Sequence, residues 1–277
     1  MSGRFRQLAP RVITAAVAIP IVLALIWHPA LQFGFVIFVG FLAAVGLYEY
    51  YAIVRARAIS PETIGGILAG TLVAMSGALQ NLQALNFMLY GGCLLVSALH
   101  IVRGQHSVAG LASSVFGVFY VGWFAAHIVL MQTSPGVGPA LVTMFFLVVI
   151  LTDTFAYVVG SLIGRHKLAP KVSPGKTWEG AIGGLTAAVA AMALLYALRY
   201  SFALENLPDW PLWQYAKVGA ITSLVAQIGD LTESCLKRDA GVKDSGALFP
   251  GHGGVLDRCD GFLFAAPILY YIYVPFN

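Results

Sequence analysis

Long apolar runs separated by short polar segments limit most strongly how this sequence can fold. A helix that crosses a membrane needs about 20 mostly apolar residues. Candidate helices lie at 12–28, 32–54, 63–80, 84–102, 111–132, 139–163, 179–199, 215–236 and 262–276. Only 10% of the residues are charged, against about 25% in soluble domains. The sequence therefore predicts an all-α polytopic integral membrane protein with about nine transmembrane helices.

The basic residues predict the orientation of these helices, because Lys and Arg accumulate in cytoplasmic loops. With the N-terminus inside and nine crossings, 14 of the 16 Lys and Arg residues fall on the cytoplasmic side. Only Arg199 and Lys217 fall outside. Two long polar segments, 164–180 and 236–261, then emerge on the same side. We therefore expect a cytoplasmic N-terminus and water-soluble partners that meet the protein from the cytoplasm.

Acidic residues inside the predicted spans are the first candidates for function, since each costs about 2.5–3.5 kcal/mol to insert. Asp153 in "LTDTFAYVVG" lies mid-helix, where neighbouring hydroxyl groups offer it an alternative, structural role. Asp230 in "QIGDLTESCLKR" has no basic residue four positions away. Glu233 lies four residues before Lys237, so a helical ion pair is its simpler interpretation. Glu49, near a helix end, is interpreted as structural.

A closely spaced acidic pair predicts a metal site. In "LDRCDGFLF", Asp257 and Asp260 are three residues apart, which places them on one face if the last helix has begun. Two carboxylates so close repel each other unless a cation lies between them. Mg²⁺ commonly binds one or two carboxylates together with substrate phosphates. The alternative is that Arg258, between them in sequence, neutralises one of the two.

Basic residues and glycines around this pair predict a phosphate site, because glycines let backbone N–H groups approach phosphate oxygens. The basic residues are Lys237, Arg238, Lys243, His252 and Arg258, and the glycines are Gly246, Gly251, Gly253 and Gly254. The other polar segment adds Lys171, Ser173, Lys176 and Thr177 just before a helix. Anchoring to anionic lipid explains single cations, but it needs neither the acidic pair nor a histidine between glycines.

Three short motifs do not fit their families. "GKT" at 175–177 lacks the earlier glycine of a Walker A loop, since Pro170 stands there. "HGG" is not followed by the G-x-S-x-G of a hydrolase. "DRCDG" at 257–261 overlaps the start of the CDP-alcohol phosphotransferase pattern, but no later aspartate follows.

One long stretch resembles the signature of a known family. "SCLKRDAGVKDSGALFPGHGGVLDRCD", Ser234–Asp260, resembles that of the phosphatidate cytidylyltransferases, also called CDP-diacylglycerol synthases. The signature reads S-x-φ-K-R-x4-K-D-x-G-x2-φ-P-x-H-G-G-φ-x-D-R-φ-D, with φ apolar, and the one departure is Cys259 in place of an aliphatic residue. "DTFAYVVGSLIGRHKLAPKVSPGKTWEG", Asp153–Gly180, is similar to the family's other polar stretch.

The resemblance implies a membrane nucleotidyltransferase that makes CDP-diacylglycerol and pyrophosphate from CTP and phosphatidic acid, with Mg²⁺ and a second metal ion left open. In that chemistry the lipid phosphate attacks the α-phosphorus of CTP in line. We expect an enzyme of the bacterial cytoplasmic (inner) membrane, whose active site faces the cytoplasm and which binds membrane lipid but no nucleic acid. The resemblance also suggests a homodimer.

Spacing and resemblance together assign roles to individual residues. The predicted metal ligands are Asp257, Asp260, Asp230 and Asp153. The predicted catalytic residues are Asp230, Lys237, Arg238, Lys243, Asp244, His252 and Arg258, of which the cations hold phosphates and His252 contacts pyrophosphate or donates a proton. The predicted substrate-binding residues are Ser173, Lys176, Thr177, Ser234, Gly253 and Gly254.

These roles divide the chain into two predicted regions. Residues 1–138 form transmembrane helices that serve as scaffold or lipid groove, and residues 139–277 form the catalytic transmembrane region with loops 164–180 and 236–261.

Two alternative functions remain at this point. A CDP-alcohol phosphotransferase would consume CDP-diacylglycerol, and a cation- or proton-coupled transporter would use Asp153 and Asp230 as a path.

Overall fold

Ten helices make up almost all of the computed structural model, which describes residues 19–104, 106–246 and 253–274. They are α1 (19–27), α2 (Gln32–Ala56), α3 (Thr63–Ser76), α4 (Leu82–Val102), α5 (Val108–Gly117), α6 (Phe124–Gln132), α7 (Gly138–Ile163), α8 (Trp178–Phe202), α9 (Leu212–Asp239) and α10 (Leu256–Tyr273). A π-helical segment, Val118–Trp123, joins α5 to α6 in one continuous span. Short 3₁₀ turns lie at Pro29–Leu31 and Gly77–Leu79.

Five of the described helical spans are long and apolar enough to cross a membrane: 29–56, 82–102, 108–132, 138–163 and 178–202. α3 with its 3₁₀ turn is apolar but shorter. α9 and α10 coincide with the last two predicted spans, and both carry charged residues near the polar segment between them. The prediction of a helical membrane protein is confirmed, whereas nine crossings and a cytoplasmic N-terminus stay predictions.

Large apolar side chains are distributed as expected for a protein surrounded by lipid. Phe33, Phe87, Tyr157 and Leu162 are among many that are exposed on the outside of the helices, whereas soluble proteins rarely expose such large apolar patches. Large aromatic side chains, such as Tyr51, also fill the interior. The bundle is therefore apolar both inside and outside, and its polar chemistry must lie at its ends or in its cavities.

The helices α7, α8, α9 and α10 pack side by side and carry the two polar segments. α7 lies against α8 so closely that a Cβ atom at Gly180 or Gly184 would overlap backbone carbonyl groups of α7. Buried Thr152 of α7 donates a hydrogen bond to Ser223 of α9 (2.9 Å). α9 in turn packs along α10, where Gly229 lies against Asp260 and Phe264. These close contacts fix the positions from which the site residues project.

The first polar segment is a small hairpin rather than an irregular loop, which adds a β element to the predicted all-α fold. Strands β1 (Lys167–Ala169) and β2 (Ser173–Thr177) pair antiparallel, with Lys167 opposite Thr177 and Ala169 opposite Ser173. Thr177 ends β2 and caps α8, since its hydroxyl oxygen accepts a hydrogen bond from the backbone N–H of Gly180 (3.1 Å). The hairpin therefore leads β2 directly into α8 without a flexible linker.

Candidate active site

A cavity of about 350 Å³ lies between the hairpin and helices α7, α8 and α9. Strand β2 and helices α7 and α9 supply its polar lining: Asp153, Ser173, Lys176, Thr177, Gln227 and Asp230. Its apolar lining includes Ala156, Tyr157 and Leu168. The cavity thus places charged groups beside an apolar wall, an arrangement that suits a ligand with a phosphate group and an apolar part.

Lys176 and Asp230 form an ion pair inside this cavity. Lys176 projects from β2, and its Nζ lies 2.6 Å from Oδ2 of Asp230 on α9. The two side chains line the cavity and are 26% and 32% exposed, although Nζ of Lys176 is itself buried. Ser234, one helical turn later, donates a hydrogen bond to Asp230 (3.4 Å). The structure therefore brings together the predicted substrate-binding Lys176 and the predicted metal ligand Asp230.

Lys237 has a different environment, because it is buried between two carboxylates. Its Nζ lies 2.6 Å from Oδ1 of Asp257 and also contacts Glu233 of its own helix. The side chain of Lys237 is only 13% exposed, and that of Glu233 is fully buried. The predicted helical ion pair between Glu233 and Lys237 is confirmed. Two of the three N–H donors of the ammonium group have carboxylate partners, and the contact of Lys237 with phosphate stays a prediction.

Both oxygens of Asp257 are engaged by protein donors. One accepts from Lys237, and the other accepts from the backbone N–H groups of Ser245 (2.9 Å) and Gly254 (2.8 Å). Burial alone would raise the pKa of Asp257, but these donors outweigh it and lower the pKa to about 2. Asp257 lies in the first turn of α10, ahead of the apolar part of that helix. Oδ1, which accepts only from Lys237 among the described residues, keeps a lone pair that a metal ion could use.

Asp260, one turn further along α10, is a carboxylate for which the described residues show no salt bridge. Its one hydrogen bond comes from the backbone N–H of Gly261 (2.6 Å). Burial, together with the nearby carboxylates of Asp230 and Glu233, raises the pKa of Asp260 well above its usual value. A carboxylate in this environment would be stabilised by a cation.

The predicted four-carboxylate ligand set does not come together in the structure. Across residues 19–104, 106–246 and 253–274, no three His, Cys, Asp or Glu side chains are arranged so that they could hold a metal ion by themselves. Mg²⁺, however, usually takes only one or two carboxylates and completes its coordination with substrate phosphates and water. Asp260 and Asp230, with Asp153 in the same cavity as Asp230, fit that mode of binding, and metal binding by Asp257 stays a prediction.

The remaining predicted residues surround this centre. Arg238 joins the two polar segments, since its Nε donates a hydrogen bond to the backbone carbonyl of Val172 (3.2 Å). Lys243, Asp244 and Arg258 are exposed at the end of the bundle. Gly253 has a positive φ of 78° and lies against the carboxylate of Asp257. His252 lies outside the described residues, so its role stays a prediction.

Glu49 is the residue at this centre that the sequence did not indicate. It projects from α2, is 4% exposed, and accepts hydrogen bonds from the hydroxyl group of Ser245 and the backbone N–H groups of Val255 and Leu256. It was interpreted as structural, and the structure shows it pointing inward. Its partners lie about 200 residues away in sequence, and no local pattern could have revealed them.

The fold and the site together define a helical membrane protein with a charged cavity suited to phosphate groups. The chain belongs to the cytidylyltransferase family, whose sequence profile matches residues 9–276. The predicted family and the predicted class of enzyme are therefore confirmed.

Several bacterial relatives share almost the whole length of the chain, and each is named phosphatidate cytidylyltransferase. The Brucella abortus protein is 37% identical over 95% of this chain and 92% of its own length. The Synechocystis protein is 31% identical over 95% of this chain and 96% of its own. The Staphylococcus aureus protein is 33% identical over 94% of this chain and 96% of its own.

Proposed function

We propose that the protein makes CDP-diacylglycerol and pyrophosphate from CTP and phosphatidic acid, in a bacterial cytoplasmic membrane with the site facing the cytoplasm. The observation that carries this proposal is the near full-length match to relatives that are named for this activity. The cavity supports it, because Lys176 and Asp230 lie beside an apolar wall. Such a cavity suits a reaction between a soluble triphosphate and a lipid phosphate.

The reaction has one central electrostatic difficulty, since both reacting groups are anionic. An oxygen of the lipid phosphate forms a bond to the α-phosphorus of CTP, and the bond from that phosphorus to the bridging oxygen of the β-phosphate breaks. Pyrophosphate leaves with the electron pair. Positioning and charge neutralisation therefore supply most of the catalysis. The proposed chemistry of Lys176 is to leave Asp230 and bind a phosphate group when substrate enters.

Asp230 and Asp260, with Asp153, are the residues that would hold Mg²⁺ in this proposal. Bound Mg²⁺ would neutralise phosphate charge and help to align the two substrates. Movement of Lys176 onto a phosphate would free an oxygen of Asp230, which now contacts Lys176. The charges would then exchange partners without leaving a bare carboxylate in the cavity. Asp257 would instead keep Lys237 and the backbone of the second polar segment in place.

A labelling experiment tests the function directly. The purified protein in mild detergent would be given phosphatidic acid, Mg²⁺ and CTP labelled with ³²P at the α-phosphate, beside an Asp260→Asn variant. We expect label in a chloroform-extractable product for the wild type, and a loss of at least about 100-fold in the variant. Absence of lipid-linked label from folded wild-type protein would refute the proposed reaction. Wild-type turnover and Mg²⁺ dependence in the variant would refute the role of Asp260 alone.

The same assay separates the alternative functions. A CDP-alcohol phosphotransferase would consume CDP-diacylglycerol without any need for CTP, and a transporter would move ions across liposomes without CTP. The family match favours neither of them. Homodimer formation stays a prediction, which the mass of the purified protein in detergent would test.

A further inference from the structure

The carboxylate group of Glu49 connects the N-terminal half of the chain to the catalytic half. Its Oε2 accepts from the hydroxyl group of Ser245 (2.9 Å) and from the backbone N–H of Leu256 (2.8 Å). Its Oε1 accepts from the backbone N–H of Val255 (3.0 Å). Ser245 precedes the stretch 246–253 of the second polar segment, and Val255 and Leu256 follow it. One carboxylate therefore holds both ends of that stretch.

Asp257 holds the same two ends from the other side. Its Oδ2 accepts from the backbone N–H groups of Ser245 and Gly254, and its Oδ1 accepts from Lys237. The hydroxyl group of Ser245 also accepts a hydrogen bond from the backbone N–H of Asp257 (3.2 Å). Glu49, Ser245, Asp257 and Lys237 thus form one continuous chain of hydrogen bonds. Any shift of Glu49 is passed through Ser245 to Asp257 and from there to Lys237.

The surroundings of Glu49 favour a carboxylate over any other side chain. In the described part of the chain no salt bridge ends on Glu49, so N–H and O–H groups stabilise its oxygens. Two of these donors belong to the start of α10, where the helix dipole favours negative charge. The backbone approaches the carboxylate closely, since a Cβ atom at Gly246 or at Gly254 would overlap it. A glutamine here would turn an N–H donor toward donors that are already present.

We infer that Glu49 is a positioning residue for cytidylyl transfer, which fixes both ends of the stretch 246–253 so that Lys237, Asp257 and Asp260 keep their places. The inference rests on the proposed function, because it concerns the rate of that reaction. Glu49 itself touches no substrate in this view. The scaffold half of the chain then contributes directly to the geometry of the site.

The experiment compares Glu49→Gln with a matched variant, Glu62→Gln. Glu62 is also a buried carboxylate of the N-terminal half (2% exposed), but it pairs with Arg103, and no contact joins it to the described residues of the second polar segment. Each variant would be purified in detergent and examined for kcat, for KM of CTP, for Tm, and for hydrogen exchange of the peptide that contains Val255 and Leu256. Glu49→Asp, which keeps the charge, and Ser245→Ala, which removes one partner, complete the series.

We expect Glu49→Gln to lower kcat about 10- to 100-fold, the effect of misplacing catalytic groups by roughly 1 Å. Exchange of the Val255 and Leu256 amides should accelerate at least about tenfold, because their acceptor is lost. Glu62→Gln should lower Tm as much but leave kcat and this exchange as in the wild type. Glu49→Asp should recover part of kcat. If Glu49→Gln fails to fold, Ser245→Ala should show the same two changes to a smaller extent.

Two results would overturn the inference. One is wild-type exchange of Val255 and Leu256 in Glu49→Gln, which would show that Glu49 does not hold the segment. The other is an equal loss of kcat in Glu62→Gln, which would reduce the effect to general stability. If the wild type makes no CDP-diacylglycerol, the proposed function fails, but the exchange measurement still decides whether Glu49 holds the segment.

Discussion

The two polar segments at the end of the bundle use their charges in opposite ways. In the first segment Lys176 lines a cavity and contacts one partly exposed carboxylate, that of Asp230. In the second, Lys237 is buried between Glu233 and Asp257. Both lysines looked alike in the sequence, as phosphate ligands. The structure separates a lysine that lines a cavity from one that the protein itself already uses.

The segments also differ in how they are held. The first forms its own β hairpin, and Glu179 at the start of α8 accepts hydrogen bonds from the backbone N–H groups of Arg165 and His166. The second has no strand partner in its described residues, and its ends are fixed by Glu49 and Asp257. In the described part of the chain, Lys176 of the first segment thus lines a cavity, whereas Lys237 and Asp257 of the second hold the structure together.

The largest effect should come from breaking the buried ion pairs. Lys237→Met leaves Glu233 and Asp257 without their cation, and a buried charge that loses its partner costs about 3–5 kcal/mol. We expect a large fall in the stability of the detergent-solubilised protein, measured by its thermal unfolding, and with it a loss of activity. The double variant Lys237→Met with Glu233→Gln should recover part of the stability. Wild-type stability of the single variant would show that Lys237 is not a structural residue.

The next effect should come from the open cavity. Asp230→Asn removes the carboxylate that contacts Lys176, and we expect turnover to fall about 100-fold with little change in thermal stability. Asp239→Asn is the control, because Asp239 is an exposed carboxylate of the same helix and pairs with Arg57 away from the cavity. Lipid-linked label from labelled CTP measures both. Equal turnover of the two variants would contradict a catalytic role for Asp230.

Lys176→Met should have a smaller effect of a different kind. A charge-assisted hydrogen bond to phosphate contributes about 1.5–3 kcal/mol, so we expect KM for CTP or for phosphatidic acid to rise about 10- to 100-fold. The side chains of its pair with Asp230 are 26% and 32% exposed, and partly exposed pairs of this kind stabilise by about 1 kcal/mol or less. Lys167→Met, on the neighbouring strand, should leave KM unchanged. A loss of stability comparable to that of Lys237→Met would remove the distinction between the two lysines.

The smallest effect should come from the side-chain contact between α7 and α9, the two helices that lead into the polar segments. Thr152→Val removes the hydrogen bond to Ser223 between α7 and α9, which should lower stability by about 1 kcal/mol. Thr186→Val is matched to it, because the Thr186 hydroxyl is exposed and bonds only to the backbone of its own helix in the described structure. Thermal unfolding of the two variants gives the difference. Catalysis should be close to wild type in both.

The sequence predicted the helices well, because each long apolar run has a helix at its place. It also selected Lys176 and Asp230, which the structure brings together in one cavity. It could not predict which groups the carboxylate of Asp257 contacts. The three-residue spacing of Asp257 and Asp260 is compatible with a shared metal ion and equally with contacts to protein donors. The path of the segment 245–256 brings the N–H groups of Ser245 and Gly254 onto Asp257. Helical periodicity contains no information about that path.

Glu49 was missed for a related reason. Hydrophobic patterns show which residues avoid water, but not which distant backbone a buried carboxylate will meet. The signal that remained was the inserted charge itself, in "GLYEYY", within an otherwise apolar helix. A cost of about 2.5–3.5 kcal/mol for such a residue implies a compensating partner.

The hydrogen bond between Glu49 and Val255 joins residues that are 206 positions apart, so it can form only late in biosynthesis. Synthesis proceeds from the N-terminus at roughly 5–20 residues per second, so α2 emerges from the ribosome at least about ten seconds before α10. During that interval the acceptor has none of the three donors that it has in the finished protein. The last helix to be made therefore completes a contact begun by one of the first, and we expect nascent chains that stop before residue 245 to be recognised as unfinished by membrane quality control.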